Sequence, residues 1–259
     1  MIPGGDVHSM RVGSLWRYPV KSMQGEECAE LIVDARGVRG DRRYGVFDVE
    51  SETVISAKRE GRLLQATASF TSEGLRVTMP DGHTMSPGAG LDDGLTNWLG
   101  HRVALAEAAD IGPATFECPE DFEDDDSPRV RWVGVEGSFV DESALHLLTR
   151  ADLELLSSER PDLHWEVRRF RPNIVVDTDV VSTVFARPGQ RVELGDVQIE
   201  IQKGCSRCVM TTRPQPRDLE RELDILRHVN RAHANEVGVR ARVLRSGVIH
   251  PGDAVTVVM

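Results

Sequence analysis

Broken alternation is the feature that most constrains this chain. Apolar residues recur near every second position in short runs, and turn formers interrupt each run before a helix could gain length. Residues 11–18 (RVGSLWRY), 27–34 (ECAELIVD) and 43–49 (RYGVFDV) follow this pattern, with Gly37 and Gly40 marking the turn before the third. Residues 75–79 run into Pro80-Asp81-Gly82, a strand entering a tight turn. Helical periodicity is scarce in the first half. The 23 glycines and 13 prolines are spread through the chain, which suits a small barrel or sandwich.

The second half mixes elements. Thr149 with Asp152 predicts a capping box that opens a short helix over 150–158. Residues 170–177 (FRPNIVVD) read as a strand that Pro172 confines to an edge or to a start after the proline. Residues 191–202 predict a hairpin around Gly195-Asp196. Residues 218–234 predict the strongest helix, with Leu219, Leu223, Leu226 and Val229 on one face. Alternation returns over 240–258. Between the halves, Glu117, Glu120, Asp121, Glu123, Asp124, Asp125 and Asp126 form a like-charge block that predicts a solvated loop and a domain boundary.

The formal charge of −11 argues against a duplex-binding protein, which needs a broad basic face. It leaves room for a local basic pocket around a small phosphorylated ligand. No run approaches the roughly 20 apolar residues of a membrane helix, and residues 1–11 carry no apolar run of a secretory signal. A cytoplasmic protein is expected, with no nucleic-acid or membrane partner. Four cysteines are too few for a disulfide scaffold of this length.

Two of those cysteines need a chemical explanation. Cys205-Ser206-Arg207-Cys208 has the spacing of half a zinc site, but no second such pair exists to complete four ligands. His228 and His233 lie downstream with spacing five. A redox dithiol would need the motif to open a helix, whereas residues 209–212 read as extended chain. Two buried small side chains would suit Cys205 and fit poorly with Arg207 between them. A cation beside a thiol favours the thiolate, and a thiolate suits a soft metal. One thiolate holds a bare ion weakly, so such a metal would arrive already chelated by an organic cofactor. Arg171-Pro172-Asn173 offers donors and an acceptor suited to a heterocycle or phosphate. Lys21, Ser22 and Arg42 lie at strand ends or turns, where functional side chains collect. His146, flanked by Leu145 and Leu147, reads more readily as a packed histidine than as an acid catalyst.

Four ordered motifs, YPVKS at 18–22, GDRRY at 40–44, FRPNIV at 170–175 and CSRCVMTT at 205–212, together resemble the MOSC family with its N-terminal MOSC β-barrel domain. The resemblance runs from about Arg11 to Val258. It implies an α+β, predominantly β fold: an N-terminal β-barrel domain over residues 9–120, then a MOSC β-barrel domain over residues 127–259 with peripheral helices. It implies molybdenum cofactor (molybdopterin), with Cys208 as the metal's sulfur ligand and catalytic centre. Ser206 and Arg207 would contact the cofactor beside it. Lys21, Ser22 and Arg42 would grip the pterin or its phosphate from the first domain, and Arg171, Asn173 and, less securely, Ser143 from the second. A family-level association with pyridoxal phosphate binding comes with the resemblance.

Two departures stand out. Arg240 occupies a place where close relatives usually have tyrosine, and the chain ends without the ferredoxin-like domain of some relatives. Electrons would then come from a separate donor protein. The expected function is a molybdenum reductase of small N-hydroxylated compounds. The alternative is a cofactor carrier or sulfur-transfer protein without turnover of its own.

Overall fold

The computed structural model describes residues 10–121, 123–124, 126–182 and 187–258. The opening residues 1–9, Asp125 of the acidic block, and the ends Ser9 and Met259 of the expected domains lie outside them.

The fold is predominantly β, as expected. One eight-stranded sheet runs in the order Val255–Val258, Arg191–Leu194, Val197–Ser206, Glu236–Arg245, Leu145–Thr149, Ile174–Asp177, Arg11–Arg17 and Glu26–Glu27. A five-stranded sheet holds Val103–Glu107, Tyr44–Asp48, Thr53–Ile55, Thr115–Pro119 and Arg129–Val133. Two three-stranded sheets complete it, one of them pairing Gly247–Ile249 with Leu31–Asp34.

The large sheet draws on both ends of the chain. Arg11–Arg17 lies antiparallel to Ile174–Asp177, so Leu15 faces Ile174 across the ladder. Its apolar face is a cluster in which Val12, Leu15, Val176, Ile199, Ile201, Val239 and Ala241 are all but inaccessible. A second cluster, with Val20, Met23, Leu63, Val77 and Leu95, fills the first half. Full burial of one such side chain stabilises by about 1.5–3 kcal/mol, so both clusters contribute to holding the strands in register.

Local signals behave as their chemistry dictates. Helix Arg150–Glu159 has the full capping box: Asp152 N–H donates to Thr149 Oγ1, and Thr149 N–H donates to Asp152 Oδ2. The strand after Pro172 begins at Ile174. The hairpin forms around Gly195, whose φ of +56° suits the left-handed turn position.

Four expectations are corrected. The run 27–34 is not one strand: it divides into Glu26–Glu27 and Leu31–Asp34, which join different sheets. The helix expected over 218–234 is confined to Leu223–Ala232, because Arg217 and Asp218 adopt positive φ before it and Ala234 and Asn235 after it. Helix Ala89–Leu99 stands where no helical periodicity was read. Glu117 of the acidic block is not part of a solvated loop: it is buried within strand Thr115–Pro119 and bonded to Arg59 and Arg131, while Glu120, Asp121, Glu123, Asp124 and Asp126 belong to the connection from that strand to Arg129–Val133 in the same sheet.

Candidate functional site

Strand Val197–Ser206 carries Cys205 into a buried position at its end. Cys208 follows, half-buried, at the start of a one-turn 3-10 helix, Val209–Thr212. The extended chain expected there is overruled by two threonines. Thr211 N–H and Oγ1 both donate to the Cys208 carbonyl, at 3.1 and 3.0 Å, and Thr212 Oγ1 donates to the Val209 carbonyl at 2.8 Å. Hydroxyls that reach back three residues in this way favour a tight turn over a strand. Buried Arg169 donates to the Thr211 and Arg213 carbonyls and anchors the turn from below.

Cys208 opens into a cleft whose walls come from distant parts of the chain. Lys21, Ser22, Arg42, Ser143, Arg171, Asn173, Ser206, Arg207 and Cys208 all line it. The geometry therefore brings together every site residue named from the sequence, across more than 180 residues of chain.

Three of them share an unusual backbone. Ser22, Arg42 and Arg171 have φ of 68°, 46° and 54°, the left-handed region that non-glycine residues rarely enter. Such conformations cost about 1–3 kcal/mol each and cluster at ligand clamps. Both arginines meet one ring: the Arg42 and Arg171 guanidiniums lie 4.5 and 4.2 Å from the Tyr18 centroid. Arg42 is balanced by Asp41 at 2.5 Å and donates to the Arg171 carbonyl. Arg171 donates Nη1 to the Met23 carbonyl at 2.6 Å. Burial first, and then Arg42, pull the Arg171 pKa down to about 10, so it remains a cation. Burial raises Tyr18 to about 12 against the pull of the two arginines.

A second cationic group lies along the wall. Lys21 Nζ donates to the Phe139 carbonyl at 2.8 Å and to Asp141 Oδ1 at 2.6 Å, and sits over the Phe116 ring. Lys58 approaches the other Asp141 oxygen at 3.4 Å and sits over Trp132. Burial pushes the Asp141 carboxyl up, but the two lysines outweigh it and hold it well below the usual carboxylate range.

Other members of the set are tied into the framework. Arg207 donates to the Val237 and Phe170 carbonyls at 3.0 Å and to His146 Nε2 at 2.6 Å, with its guanidinium over the Phe170 ring. His146 Nε2 therefore accepts. Burial, followed by Arg207, lowers its pKa well below 6.5, so His146 is a neutral packed ring and not a proton donor to the cleft. The Asn173 side chain bridges strands, accepting from His146 N–H and donating to the Trp16 carbonyl. Ser22 Oγ accepts from Ala57 N–H at 2.8 Å. Ser206 is exposed and Ser143 half-buried on the rim.

Arg240 shares a single carboxylate with another cation. Its Nη1 meets Glu142 Oε2 at 2.5 Å, Lys203 also pairs with Glu142, and its Nε approaches Cys205 Sγ at 3.3 Å. Asp141, Glu142, Lys58 and Arg169 were missed from the sequence. The Asp141-Glu142-Ser143 run was the available signal for the first two, and nothing in the sequence marks Lys58. His228 and His233 do not join the cysteines: they converge on Glu159.

The MOSC N-terminal beta barrel domain matches residues 9–94, and the MOSC domain matches residues 135–256. Human mitochondrial amidoxime-reducing component 1 is 28% identical over 230 residues, covering 78% of this chain and 65% of that protein. The mouse protein is 27% identical over 228 residues with the same coverage. The chain thus matches less than two-thirds of the length of these relatives. Among solved structures, the YUAD protein from Bacillus subtilis gives a TM-score of 0.47 at 8% identity, covering 95% of this chain and 94% of that one. YiiM from Escherichia coli gives 0.35 at 16% identity, covering 52% and 66%.

Proposed function

The chain belongs to the MOSC family, and from that premise we propose that it binds molybdenum cofactor in the Cys208 cleft and reduces N-hydroxylated compounds. The observation that carries this reading is the convergence of one half-buried thiol with Arg42, Arg171 and Lys21 in a single cleft. The donor set fits the group. A lone soft thiolate matches a metal whose other sulfurs come from a dithiolene, and fixed guanidiniums match a phosphorylated tail.

Cys208 would hold the metal, kept in place by the 3-10 turn that Thr211 closes. Among the described residues, Arg171 commits only Nη1 to a hydrogen bond, so the rest of its fork is available to an anion. Arg42, which also meets the Tyr18 ring and donates to the Arg171 carbonyl, would support it. Arg207 and Asn173 would position rather than touch: the first braces the chain beside Cys208, the second locks Arg11–Arg17 to Leu145–Thr149. When bound, the cofactor would supply two-electron oxygen-atom chemistry. Arg240 would form the rim on the substrate side, held by Glu142, which it shares with Lys203. A separate protein would deliver electrons.

No helix among the described residues is long and apolar enough to cross a membrane.

The test is metal and pterin analysis of full-length protein made in a host that synthesises the cofactor, followed by oxidation of a reduced dye with an N-hydroxylated substrate. One molybdenum per chain with substrate-dependent oxidation is expected. Bound cofactor without turnover would replace the reductase with a carrier, and protein devoid of molybdenum and pterin would remove the cofactor reading altogether.

A further inference from the structure

Two helices meet away from the cleft. Glu159 ends helix Arg150–Glu159, His228 lies within helix Leu223–Ala232, and His233 follows that helix as its cap. His228 Nε2 is 2.8 Å and His233 Nε2 2.7 Å from the same oxygen, Glu159 Oε2. One ligand atom from each of the three falls within 4.8 Å of the others. The His228, His233 and Glu159 side chains are 16%, 20% and 33% exposed, so an ion from solution can reach them.

We propose that Glu159, His228 and His233 form a binding site for a divalent transition-metal ion of the zinc class. Two imidazole nitrogens and a carboxylate oxygen are the donors such an ion takes, with water completing a tetrahedron. With bonds of about 2.0–2.1 Å, neighbouring ligand atoms on zinc stand about 3.3 Å apart. Replacing the two imidazole protons with one ion therefore lengthens each carboxylate–imidazole distance by about 0.5 Å, within reach of small side-chain rotations.

The surroundings favour a cation. Arg160, a neighbouring positive group, is occupied by Asp162 at 2.6 Å and faces Asp224 at 3.8 Å. A scaffold holds the rings in place: Trp165 packs edge-on to His228 with centroids 5.8 Å apart, and the two imidazoles are 5.6 Å apart.

The position gives the ion a structural task. Immediately after His233, Ala234 and Asn235 adopt φ of 50° and 61°. Asn235 Nδ2 then donates to the Arg207 carbonyl at 3.0 Å, while Arg207 N–H donates to the Asn235 carbonyl at 2.9 Å. An ion at His233 clasps the two helix ends and fixes the loop that holds Arg207, one residue before Cys208. It needs no reaction of its own, and it does not depend on what Cys208 binds.

Zinc affinity of the full-length protein, measured by competition with a chromophoric chelator, tests this. Wild type is expected to bind one zinc, and so is the Cys205→Ser/Cys208→Ser double variant, which removes the competing thiols. His233→Gln should weaken binding more than about 100-fold, beyond the effect of losing an outer-shell partner. Glu159→Gln, which keeps side-chain volume at a partly exposed place, should also weaken it, and zinc should raise the unfolding temperature of wild type but of neither variant. Absence of stoichiometric zinc in wild type, or zinc that survives His233→Gln and disappears with the cysteines, overturns the site; the first result would make the cluster a pair of histidines donating to a carboxylate.

Discussion

Replacing Cys208 by serine removes a soft donor while leaving the Thr211 bonds to its carbonyl in place, because those bonds reach the backbone. The fold should survive Cys208→Ser and molybdenum retention should not. Cys205→Ser changes a buried thiol that meets Arg240, and should leave metal content near wild type. Metal analysis of both variants decides the assignment, and equal loss in both would defeat it. Tyr18 carries a pH prediction at the same scale. Its pKa is raised from 10.0 to about 12 by burial, so the folded chain keeps a proton that the unfolded chain releases. The associated stability is complete below pH 10 and is lost as pH rises towards 12. The loss amounts to about 3 kcal/mol for two units at a fully buried group. Tyr18→Phe keeps a ring against the two guanidiniums and cannot ionise, so urea unfolding at pH 9 and 11.5 should show a smaller decline in the variant. Equal declines would assign the pH dependence to other groups.

Between residues, the signals that survived from sequence to structure are local ones. The Thr149–Asp152 box is short-range hydrogen bonding, and it opens the helix where expected. Asp152 also accepts from Ser182 N–H and Oγ through its other oxygen, a contact no local reading could supply. Thr149→Ala should therefore cost about 0.5–2 kcal/mol, the usual value of a cap. Asp152→Ala should cost more, since it leaves buried Ser182 without those bonds. Denaturant melts of the pair test this, and an equal loss would mean that the Ser182 contact contributes nothing. Helix Ala89–Leu99 escaped notice because Gly88, Gly90 and Gly94 mask its pattern, although Leu91, Leu95 and Leu99 lie four apart and are buried. The 3-10 turn after Cys208 escaped because β-branched and threonine-rich residues read as strand until their hydroxyls find carbonyls. The site motifs were legible as a set, since each falls at a strand end or turn. Lys58 was not: what places it there is Asp141, a partner far along the chain.

Over the whole molecule, the first half is not closed on itself. Arg11–Arg17 completes its ladder with Ile174–Asp177, and Leu31–Asp34 pairs with Gly247–Ile249. Side chains reinforce the connection: Gln24 Nε2 donates to Gln215 Oε1 at 3.0 Å, Arg171 to the Met23 carbonyl, and Lys21 to the Phe139 carbonyl. A chain cut at the acidic loop would leave two strand edges unpaired and expose Val12, Leu15 and Leu31, and unpaired apolar edges favour aggregation over folding. Expressed alone, residues 9–120 should therefore lack a cooperative unfolding transition, whereas the full chain should unfold in one step by both near-ultraviolet circular dichroism and fluorescence. The same continuity puts the cleft's cationic wall and its thiol in one cooperative unit, so a ligand that touches both sides stabilises the entire molecule by mass action. A soluble, cooperatively melting 9–120 fragment would show instead that the first half folds on its own, and the cleft would then be a junction between two bodies free to separate.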